Sequence, residues 1–232
     1  MDHLVGKKLT WHIYLKNKFN GQEKNIFRKN TIQKNFIRKK KILEENFDNY
    51  LFHPKKLKRS VSNILEIGFG MGDNLIELSK KNPNKQIIGI EPFLNGVANV
   101  VYGCVKSNIN NILLYSHPVQ EFLDNYKKIF FEEIFILFPD PWPKKKHLKR
   151  RLVQIPFIKI LLERMEKNGK LYFATDNQNY FNEVHKHLNS DEIRKIPISI
   201  KKLDPNKLIL TKYFLRAKRL ENKVSFLVIV KY

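Results

Sequence analysis

From residue 62 onward, short apolar segments alternate with stretches of helical periodicity, and this alternation restricts the fold more than any other feature. The sequence predicts seven strands, at Asn63–Ile67, Gln86–Ile90, Asn111–Tyr115, Glu133–Phe138, Lys170–Ala174, Leu208–Thr211 and Val224–Val230. Helices are predicted at about residues 73–82, 93–108, 119–129, 152–167 and 177–189. Successive strand–helix units with a closing strand pair indicate an α/β fold: a mostly parallel, doubly wound, seven-stranded sheet with a carboxyl-terminal antiparallel hairpin.

The chain is predicted to have two parts, a basic amino-terminal extension over residues 1–60 and a folded domain over residues 61–232. The first 30 residues mix Lys and Asn with scattered aromatic residues at no sustained period, as in a mobile arm. From Thr31 to about Phe52 the apolar residues follow a helical period, which predicts one helix. With 42% hydrophobic residues the chain can bury a sizeable core, which excludes a wholly disordered protein.

The charge of the chain is large and unevenly distributed. There are 44 Lys and Arg against 22 Asp and Glu, a formal net charge of +22. Residues 1–60 carry 16 basic and 5 acidic side chains and residues 144–232 carry 22 and 8, whereas residues 61–143 carry 6 and 9. Two basic flanks around a near-neutral body favour a nucleic-acid partner over a membrane surface or an acidic protein. A coding sequence rich in A and T is the alternative source of the lysines.

Several classes of protein are excluded by simple counts. Cys104 is the single cysteine, so neither an intrachain disulfide nor a cysteine-rich zinc site can form. The first residues lack the apolar stretch of a signal peptide. Residues 86–105 hold only one charge, but a membrane span there would bring Glu91, Pro92, Asn95 and Asn99 into lipid. We therefore expect a cytoplasmic protein with no membrane span and no metal.

A glycine-rich turn follows the first predicted strand. Glu66 ends the strand, and glycines stand at positions 68, 70 and 72. Asp73 occupies the position of the third glycine of a dinucleotide fingerprint, where an acid would repel a pyrophosphate. The pattern favours S-adenosylmethionine, a nucleoside cofactor whose positive charge a carboxylate can face; a glycine-rich turn without a ligand is the alternative.

Glu91 ends the second predicted strand, 19 residues beyond Gly72. A carboxylate at this place in a nucleotide-binding sheet accepts hydrogen bonds from both ribose hydroxyls. Acids are common at strand ends, so Glu91 indicates a nucleoside cofactor only together with the glycine turn.

The loop after the fourth predicted strand reads FPDPWPKKKHLKRR, over residues 138–151. Its three prolines fix the backbone around Asp140 and Trp142, beside the place where the methyl group of the cofactor is expected. Six basic residues follow within positions 144–151, and cations of this kind bind phosphates without regard to base sequence. The alternative is an ordinary proline-rich loop over a buried tryptophan.

These motifs resemble one family. EIGFGMG at 66–72, GIE at 89–91, the loop at 138–151 and ATD at 174–176 are similar to the bacterial tRNA (guanine-N7)-methyltransferases, from about residue 60 to the end. The resemblance implies a Rossmann-like, class I S-adenosylmethionine-dependent methyltransferase fold. It implies methylation of N7 of guanine 46 in the variable loop of tRNA, by a monomer or a homodimer.

The resemblance also implies roles for single residues. Cofactor contacts are implied at Glu66, Gly68, Gly70, Gly72, Glu91, Pro118 and Asp140. Substrate contacts are implied at Lys144, Asp176, Thr211 and Phe214, and the neighbouring basic residues extend this set to Lys145, Lys146, Arg150 and Arg151. Two positions depart from the family: Phe214 replaces the acid of its T-x-[FY]-E segment, and Pro118 stands where relatives often have an acid.

The implied chemistry needs no general base. Guanine N7 presents an in-plane lone pair and carries no proton, so alignment of the two reactants supplies most of the catalysis. A carboxylate that accepts from the N1 and N2 hydrogens of guanine would stabilise the cationic product. Asp140 is the predicted catalytic residue and Asp176 the second choice, with a helix amino-terminal cap as the alternative for Asp176.

Two other functions remain open at this point. One is an amino methyltransferase of another nucleic acid, whose corresponding loop has similar residue types in a different order. The other is a non-catalytic basic RNA-binding protein on a methyltransferase scaffold. The intact Glu66, Glu91 and glycine turn favour an enzyme over the second alternative.

Overall fold

The computed structural model describes residues 30–58, 60–204 and 211–232, with side chains from residue 40 onward. In chain order its helices and strands are α1 (Asn30–Tyr50), β1 (Asn63–Ile67), α2 (Asp73–Lys81), β2 (Gln86–Ile90), α3 (Leu94–Lys106), β3 (Ile112–Tyr115), α4 (Val119–Asn125), β4 (Phe131–Leu137), α5 (Ile155–Arg164), β5 (Met165–Thr175), α6 (Gln178–Leu188), α7 (Asp191–Arg194), β6 (Ile198–Lys202), α8 (Lys212–Arg219) and β7 (Ser225–Lys231). Short 3-10 helices lie at Pro54–Lys56 and Lys145–Arg150.

The described strands form one sheet in the order β3-β2-β1-β4-β5-β7-β6. β1 pairs in parallel with β2 on one side and with β4 on the other, and β3 and β5 continue the parallel part outward. β7 is antiparallel to both β5 and β6. The predicted α/β class with a mostly parallel, seven-stranded sheet is therefore confirmed. Strand order reverses between β1 and β4, which is where such sheets bind ligands.

Helices cover both faces of the sheet, and the central strands β1 and β2 are accordingly buried along nearly their whole length. Every residue of β2 is buried, as are four of the five residues of β1. Side chains of α4, α5 and α6 pack on one face, and those of α1, α2, α3 and α8 on the other. In the described part of the chain, no helix is long and apolar enough to cross a membrane.

The helix predicted within the amino-terminal extension is present as α1 and packs onto the domain. Leu43 and Phe47 are buried in the same apolar cluster as α3. The hydroxyl of Tyr50 donates to the backbone carbonyl oxygen of Ile109 at 2.7 Å. The carboxyl-terminal half of the extension thus contributes to the core. The domain boundary at residue 60 stays a prediction, and the predicted arm lies outside the described residues.

The predicted sixth strand, Leu208–Thr211, lies outside the described residues except for Thr211, which is the amino-terminal cap of α8. The sixth strand of the described sheet is Ile198–Lys202, which the sequence does not predict. Ile198–Lys202 is an edge strand with no fully buried residue, so it lacks the apolar run that identifies the inner strands. The last two strands are antiparallel neighbours as predicted, although α8 and not a tight turn connects them.

Two glycines let α3 approach the glycine turn closely. Gly72 has a φ of +84°, and a Cβ added to it would lie 2.0 Å from Cγ2 of Val100. A Cβ added to Gly96 would lie 1.9 Å from the carbonyl oxygen of Gly70, which is backbone and cannot rotate away. The start of α3 and the turn after β1 are therefore in backbone contact, and this contact shapes one wall of the site.

Replacing Gly96 by Ala should lower the free energy of unfolding by about 1–3 kcal/mol, because the added methyl overlaps a carbonyl oxygen. Gly103→Ala is the matched control in the same helix, since its Cβ would meet only Cδ1 of Ile76, a flexible side-chain end, at 2.9 Å. Alanine is also the better helix former. Urea denaturation of both variants measures the difference, and equal stabilities would contradict the close backbone contact.

Candidate active site

A cleft of about 470 Å³ opens at the carboxyl ends of β1, β2 and β4. Its volume is in the range of small-molecule sites, and it lies at the switch point of the sheet. The predicted site residues that line it are Gly68, Gly70, Glu91, Asp140 and Arg150. Glu66 lines a narrower space beside it, which shares with the cleft Gly68, Met71, Phe138 and Tyr213. The structure thus brings most of the predicted cofactor residues together.

Glu91 fixes the conformation of the glycine turn. One carboxylate oxygen accepts from the backbone N–H of Gly70 at 2.9 Å, and the other accepts from the N–H of Phe93 at 3.0 Å. Burial raises the pKa of Glu91, the two backbone hydrogen bonds oppose this rise, and the nearby charge of Asp140 adds to it. Each oxygen keeps a lone pair, so Glu91 can accept further hydrogen bonds from hydroxyl groups in the cleft.

Glu66 is a buried acid whose Oε2 has no hydrogen-bond partner among the described residues. Burial raises the pKa of Glu66 to about 8, the charge of Asp73 adds to the rise, and a hydrogen bond with Asn74 opposes it. An open carboxylate oxygen in an apolar surrounding is unfavourable unless a cation or a proton compensates it. Glu66 therefore fits a ligand that places a positively charged group beside the glycine turn after β1.

The loop that carries Asp140 is held in a strained conformation. Phe138 and Trp142 have φ values of +53° and +41°, which residues other than glycine seldom adopt, and prolines alternate with the residues between them. Each such residue costs about 1–3 kcal/mol, so surrounding contacts must hold it. The guanidinium of Arg150 lies 5.0 Å from the ring of Trp142. The loop presents the exposed carboxylate of Asp140 to the cleft.

Arg151, which the sequence assigns to substrate binding, is buried. Its side chain is 1% exposed, donates to the carbonyl oxygen of Pro141 and forms an ion pair with Glu183 on α6. The guanidinium also lies 4.7 Å from the ring of Tyr180. The prediction for Arg151 is corrected accordingly, because a guanidinium that is enclosed by protein cannot contact a phosphate on the surface.

Asp176 directly follows β5 and is partly exposed, and it is not among the residues that line the cleft or the space beside Glu66. Its Oδ2 accepts from the amide of Asn222 at 3.2 Å. The alternative role as a helix cap is wrong, because the side chain of Asn177 caps α6 by accepting from the N–H of Tyr180. A substrate contact at Asp176 stays a prediction.

The structure places the side chains of the two predicted substrate contacts at the start of α8, Thr211 and Phe214, inside the protein. Thr211 is buried, and its hydroxyl caps α8 by accepting from the N–H of Phe214 at 3.1 Å. The ring of Phe214 is 1% exposed and belongs to the core, so its side chain cannot reach a substrate without leaving the core. Thr211 borders the narrow space near Glu66.

Tyr213 is a cleft residue that sequence reasoning missed. A Cβ placed on Gly70 would lie 3.2 Å from Cε2 of Tyr213, and the ring stacks on Phe138 at 6.3 Å. The signal that could have identified Tyr213 is the aromatic position of the T-x-[FY]-E segment. Its exposed ring lies between the glycine turn and the loop of Asp140.

The remaining predicted residues lie farther out. Pro118 is exposed at the start of α4 and is not among the residues that line the cleft, so the structure does not bring it together with Glu91 and Asp140. The three lysines at 144–146 are exposed at the start of a 3-10 helix that ends in Arg150. They are available to a polyanion beside the cleft. Among the described residues, no group of acids, histidines and cysteine could hold a metal ion.

Comparison with known proteins assigns this architecture to a family. A family model described as "Putative methyltransferase" matches residues 60–227. The chain is 34% identical over 187 residues to a tRNA (guanine-N(7)-)-methyltransferase of Francisella philomiragia, covering 80% of this chain and 82% of the relative. It is 35% identical to the enzyme of the same description from Wolbachia pipientis, covering 70% and 72%. The chain belongs to the tRNA (guanine-N7)-methyltransferase family. The resemblance found in the sequence is thereby confirmed.

The chain is also similar to part of longer proteins. The chain is 37% identical over 191 residues to a bifunctional methyltransferase of Rickettsia prowazekii, but it spans only 37% of that protein. Solved structures with the same fold include an rRNA methylase from Streptococcus thermophilus, with a TM-score of 0.50, 15% identity and coverage of 82% and 93% of the two chains. Such distant structures show the methyltransferase fold alone.

The buried Glu66 should make stability depend on pH. The pKa of a glutamate is about 4.5 in the unfolded chain, and burial raises that of Glu66 to about 8 in the folded protein. Between these two pH values the folded protein therefore binds one proton more than the unfolded chain. The free energy of unfolding without ligand should therefore fall as pH rises from about 5 to 8. In the Glu66→Gln variant this part of the decrease should be absent. Urea denaturation of both proteins across this range measures it, and identical pH slopes would contradict the assignment.

Proposed function

We propose that this protein transfers a methyl group from S-adenosylmethionine to N7 of a guanine in tRNA, that the guanine is position 46 of the variable loop, and that the reaction takes place in the cytoplasm. The observation that carries the proposal is the placement of three acids at the carboxyl ends of neighbouring strands. Glu91 and Asp140 line one cleft, Glu66 lines the narrower space beside it, and the loop of Asp140 leads into a basic tract.

The residues on the cofactor side fit a nucleoside that carries a positive charge. Glu91 has lone pairs left for the ribose hydroxyls, and the turn at Gly68 and Gly70 lets a ligand approach the backbone. Glu66 offers its open oxygen to a cationic group. S-adenosylmethionine, when bound, supplies a methyl group on a positively charged sulfur.

The acids of the cleft favour cations electrostatically. Burial is the main reason that the pKa of Glu91 is raised, and the nearby negative charge of Asp140 adds to the rise, so the two acids repel each other when both are ionised. A positively charged ligand in the cleft would relieve this repulsion. The same field would stabilise the positive charge that a guanine acquires when its N7 is methylated.

Asp140 is the proposed catalytic residue. Its carboxylate is an acceptor only, so it can accept hydrogen bonds from N1–H and N2–H of a guanine but not from an adenine in the same orientation. The prolines and the contacts of Trp142 and Arg150 hold Asp140 in place before the substrate arrives. Such alignment of two reactants can contribute about 7–11 kcal/mol to catalysis. No general base is needed, because N7 of guanine carries no proton.

The exposed lysines of the tract that begins at Lys144 are the proposed phosphate contacts. They follow the loop of Asp140 directly along the chain, so a tRNA bound to them would place its nucleotides beside the cleft. Arg150, on the ring of Trp142, can stack on a base as well as contact a phosphate.

The proposal is tested by incubating the protein with methyl-labelled cofactor and an unmodified tRNA transcript. Label should enter the transcript, and a transcript with adenosine at position 46 should remain unlabelled. Equal labelling of the two transcripts would contradict the assigned position, and no labelling of either would contradict the activity.

Asp140→Ala should lose most of the turnover while tRNA binding falls only modestly, because the carboxylate acts on the guanine and not on the phosphates. Asp124→Ala is the control, since Asp124 is an exposed acid on α4 away from the cleft. Single-turnover methyl transfer and tRNA binding at fixed salt separate the two effects. A variant at position 140 with near-normal turnover would refute the catalytic role.

Replacing Lys144, Lys145 and Lys146 by Ala should weaken tRNA binding and flatten its dependence on salt, by a slope of about one for each lost phosphate contact. A control with equal change of charge removes three exposed lysines at the opposite edge of the sheet, Lys81, Lys127 and Lys128. Binding measured from about 50 to 200 mM salt distinguishes a local contact from a general effect of charge. The assignment fails if both triple variants show the same slope.

A further inference from the structure

Arg151 connects two segments on which the site depends. Its Nε donates to the carbonyl oxygen of Pro141 at 2.8 Å, and its Nη1 donates to Glu183 on α6. The second oxygen of Glu183 accepts from the amide of Gln154 at 3.1 Å. The guanidinium also lies against the ring of Tyr180, which is fully buried. These contacts enclose Arg151 and join the loop of Asp140 to helix α6.

We propose that Arg151 is a positioning residue for methyl transfer, which acts by holding the Asp140 loop against α6 and does not bind phosphate. The proposal rests on the proposed function for its kinetic part only. Nothing in the basic run distinguishes Arg151 from its neighbours by sequence, and the distinction comes from its burial and its two simultaneous hydrogen bonds.

The Asp140 loop needs a hydrogen-bond donor from another part of the chain to hold it in place. Pro139, Pro141 and Pro143 have no backbone N–H, so these positions cannot form the ladder of bonds that would tie the loop to a neighbouring strand. Phe138 and Trp142 are also in unfavourable backbone conformations, which relax if the loop is free to move. Arg151 donates to the carbonyl oxygen between Asp140 and Trp142, at the centre of this segment.

An arginine suits this place because its planar fork can form two directed hydrogen bonds at once. A lysine keeps the charge, but its three donors share one nitrogen, so it cannot donate to Pro141 and Glu183 from two separate nitrogens as Nε and Nη1 of Arg151 do. Glu183 in turn needs its negative charge to hold a buried guanidinium. The pair therefore works as a unit, and weakening either partner should loosen the loop.

The same contact relates Asp140 to Asp176, the second-choice acid for the guanine. Helix α6 begins at Gln178, directly after Asp176 and its cap Asn177. A bond between the Asp140 loop and α6 therefore fixes the position of Asp140 relative to the segment that carries Asp176. Because misplacement of a reacting group by about 1 Å can lower a rate about a hundredfold, loosening this bond should affect the chemical step first.

The kinetic test uses Arg151→Lys, Glu183→Gln and the double variant in the full chain. The single-turnover rate at saturating tRNA should fall about tenfold to a hundredfold in each, with tRNA affinity and its salt slope unchanged. The double variant should be no slower than Arg151→Lys alone, because the two residues act through one contact. Arg164→Lys is the matched control, since this partly buried arginine donates to the carbonyl oxygen of Leu123, away from the cleft.

A second readout does not depend on activity. The chain has two tryptophans, so Trp11→Phe leaves Trp142 as the only one, and its fluorescence reports on the loop itself. Arg151→Lys and Glu183→Gln should both increase the quenching of Trp142 by acrylamide, and Arg164→Lys should not. Rates are normalised to the folded fraction, determined from the unfolding transition of each variant, so that a loss of folding is not counted as a loss of positioning.

Three results would overturn the proposal. The first is a weaker tRNA affinity and a flatter salt slope in Arg151→Lys at an unchanged rate, as expected for a phosphate contact. The second is a normal rate in Glu183→Gln, and the third is unchanged quenching of Trp142 in both variants. If the wild-type protein transfers no methyl group at all, the proposed function fails, and the fluorescence still decides whether Arg151 holds the loop.

Discussion

The carboxylate of Glu91 is the interaction on which the rest of the site depends. By accepting one backbone N–H from Gly70 and one from Phe93, it ties the turn after β1 to the start of α3. The close approach of Gly96 to the backbone of Gly70 accompanies this arrangement, and both glycines line the cleft at the carboxyl ends of the strands. A single buried acid therefore shapes the cofactor side before any ligand arrives, and keeps lone pairs to bind one.

The acidic and basic parts of the chain lie at different places in the structure, the acids at the cleft and the lysines on the surface beside it. The near-neutral middle supplies the acids of the cleft, where additional positive charge would oppose a cationic cofactor and a cationic product. The basic tract begins only after the Asp140 loop, at Lys144, and stays exposed. Arg151 differs from the exposed residues of that tract, because its side chain is buried and paired with Glu183. It donates to the carbonyl oxygen of Pro141 in the loop and does not add to the charged surface.

The sequence predicted the inner part of the fold well and its edge poorly. β1 and β2 were predicted with their observed bounds, because strands buried on both faces are continuous apolar runs. The edge strand Ile198–Lys202 was missed, because it is half exposed and ends in lysines. Glu66 and Glu91 could be singled out because each lies at the end of a strand beside a motif, and the structure places both at the site. Their contact with a cofactor stays a prediction. The burial of Arg151 could not be predicted, since Glu183 lies 32 residues away along the chain and no local sequence pattern indicates the pair.

The central claim is that this cleft directs a methyl group to a ring nitrogen of guanine in tRNA. The most direct measurement is nucleoside analysis of tRNA labelled by the purified protein, with the modified position mapped. We expect the label in 7-methylguanosine at position 46. Label in an exocyclic amino group of adenosine or cytidine would contradict the account and indicate an amino methyltransferase instead.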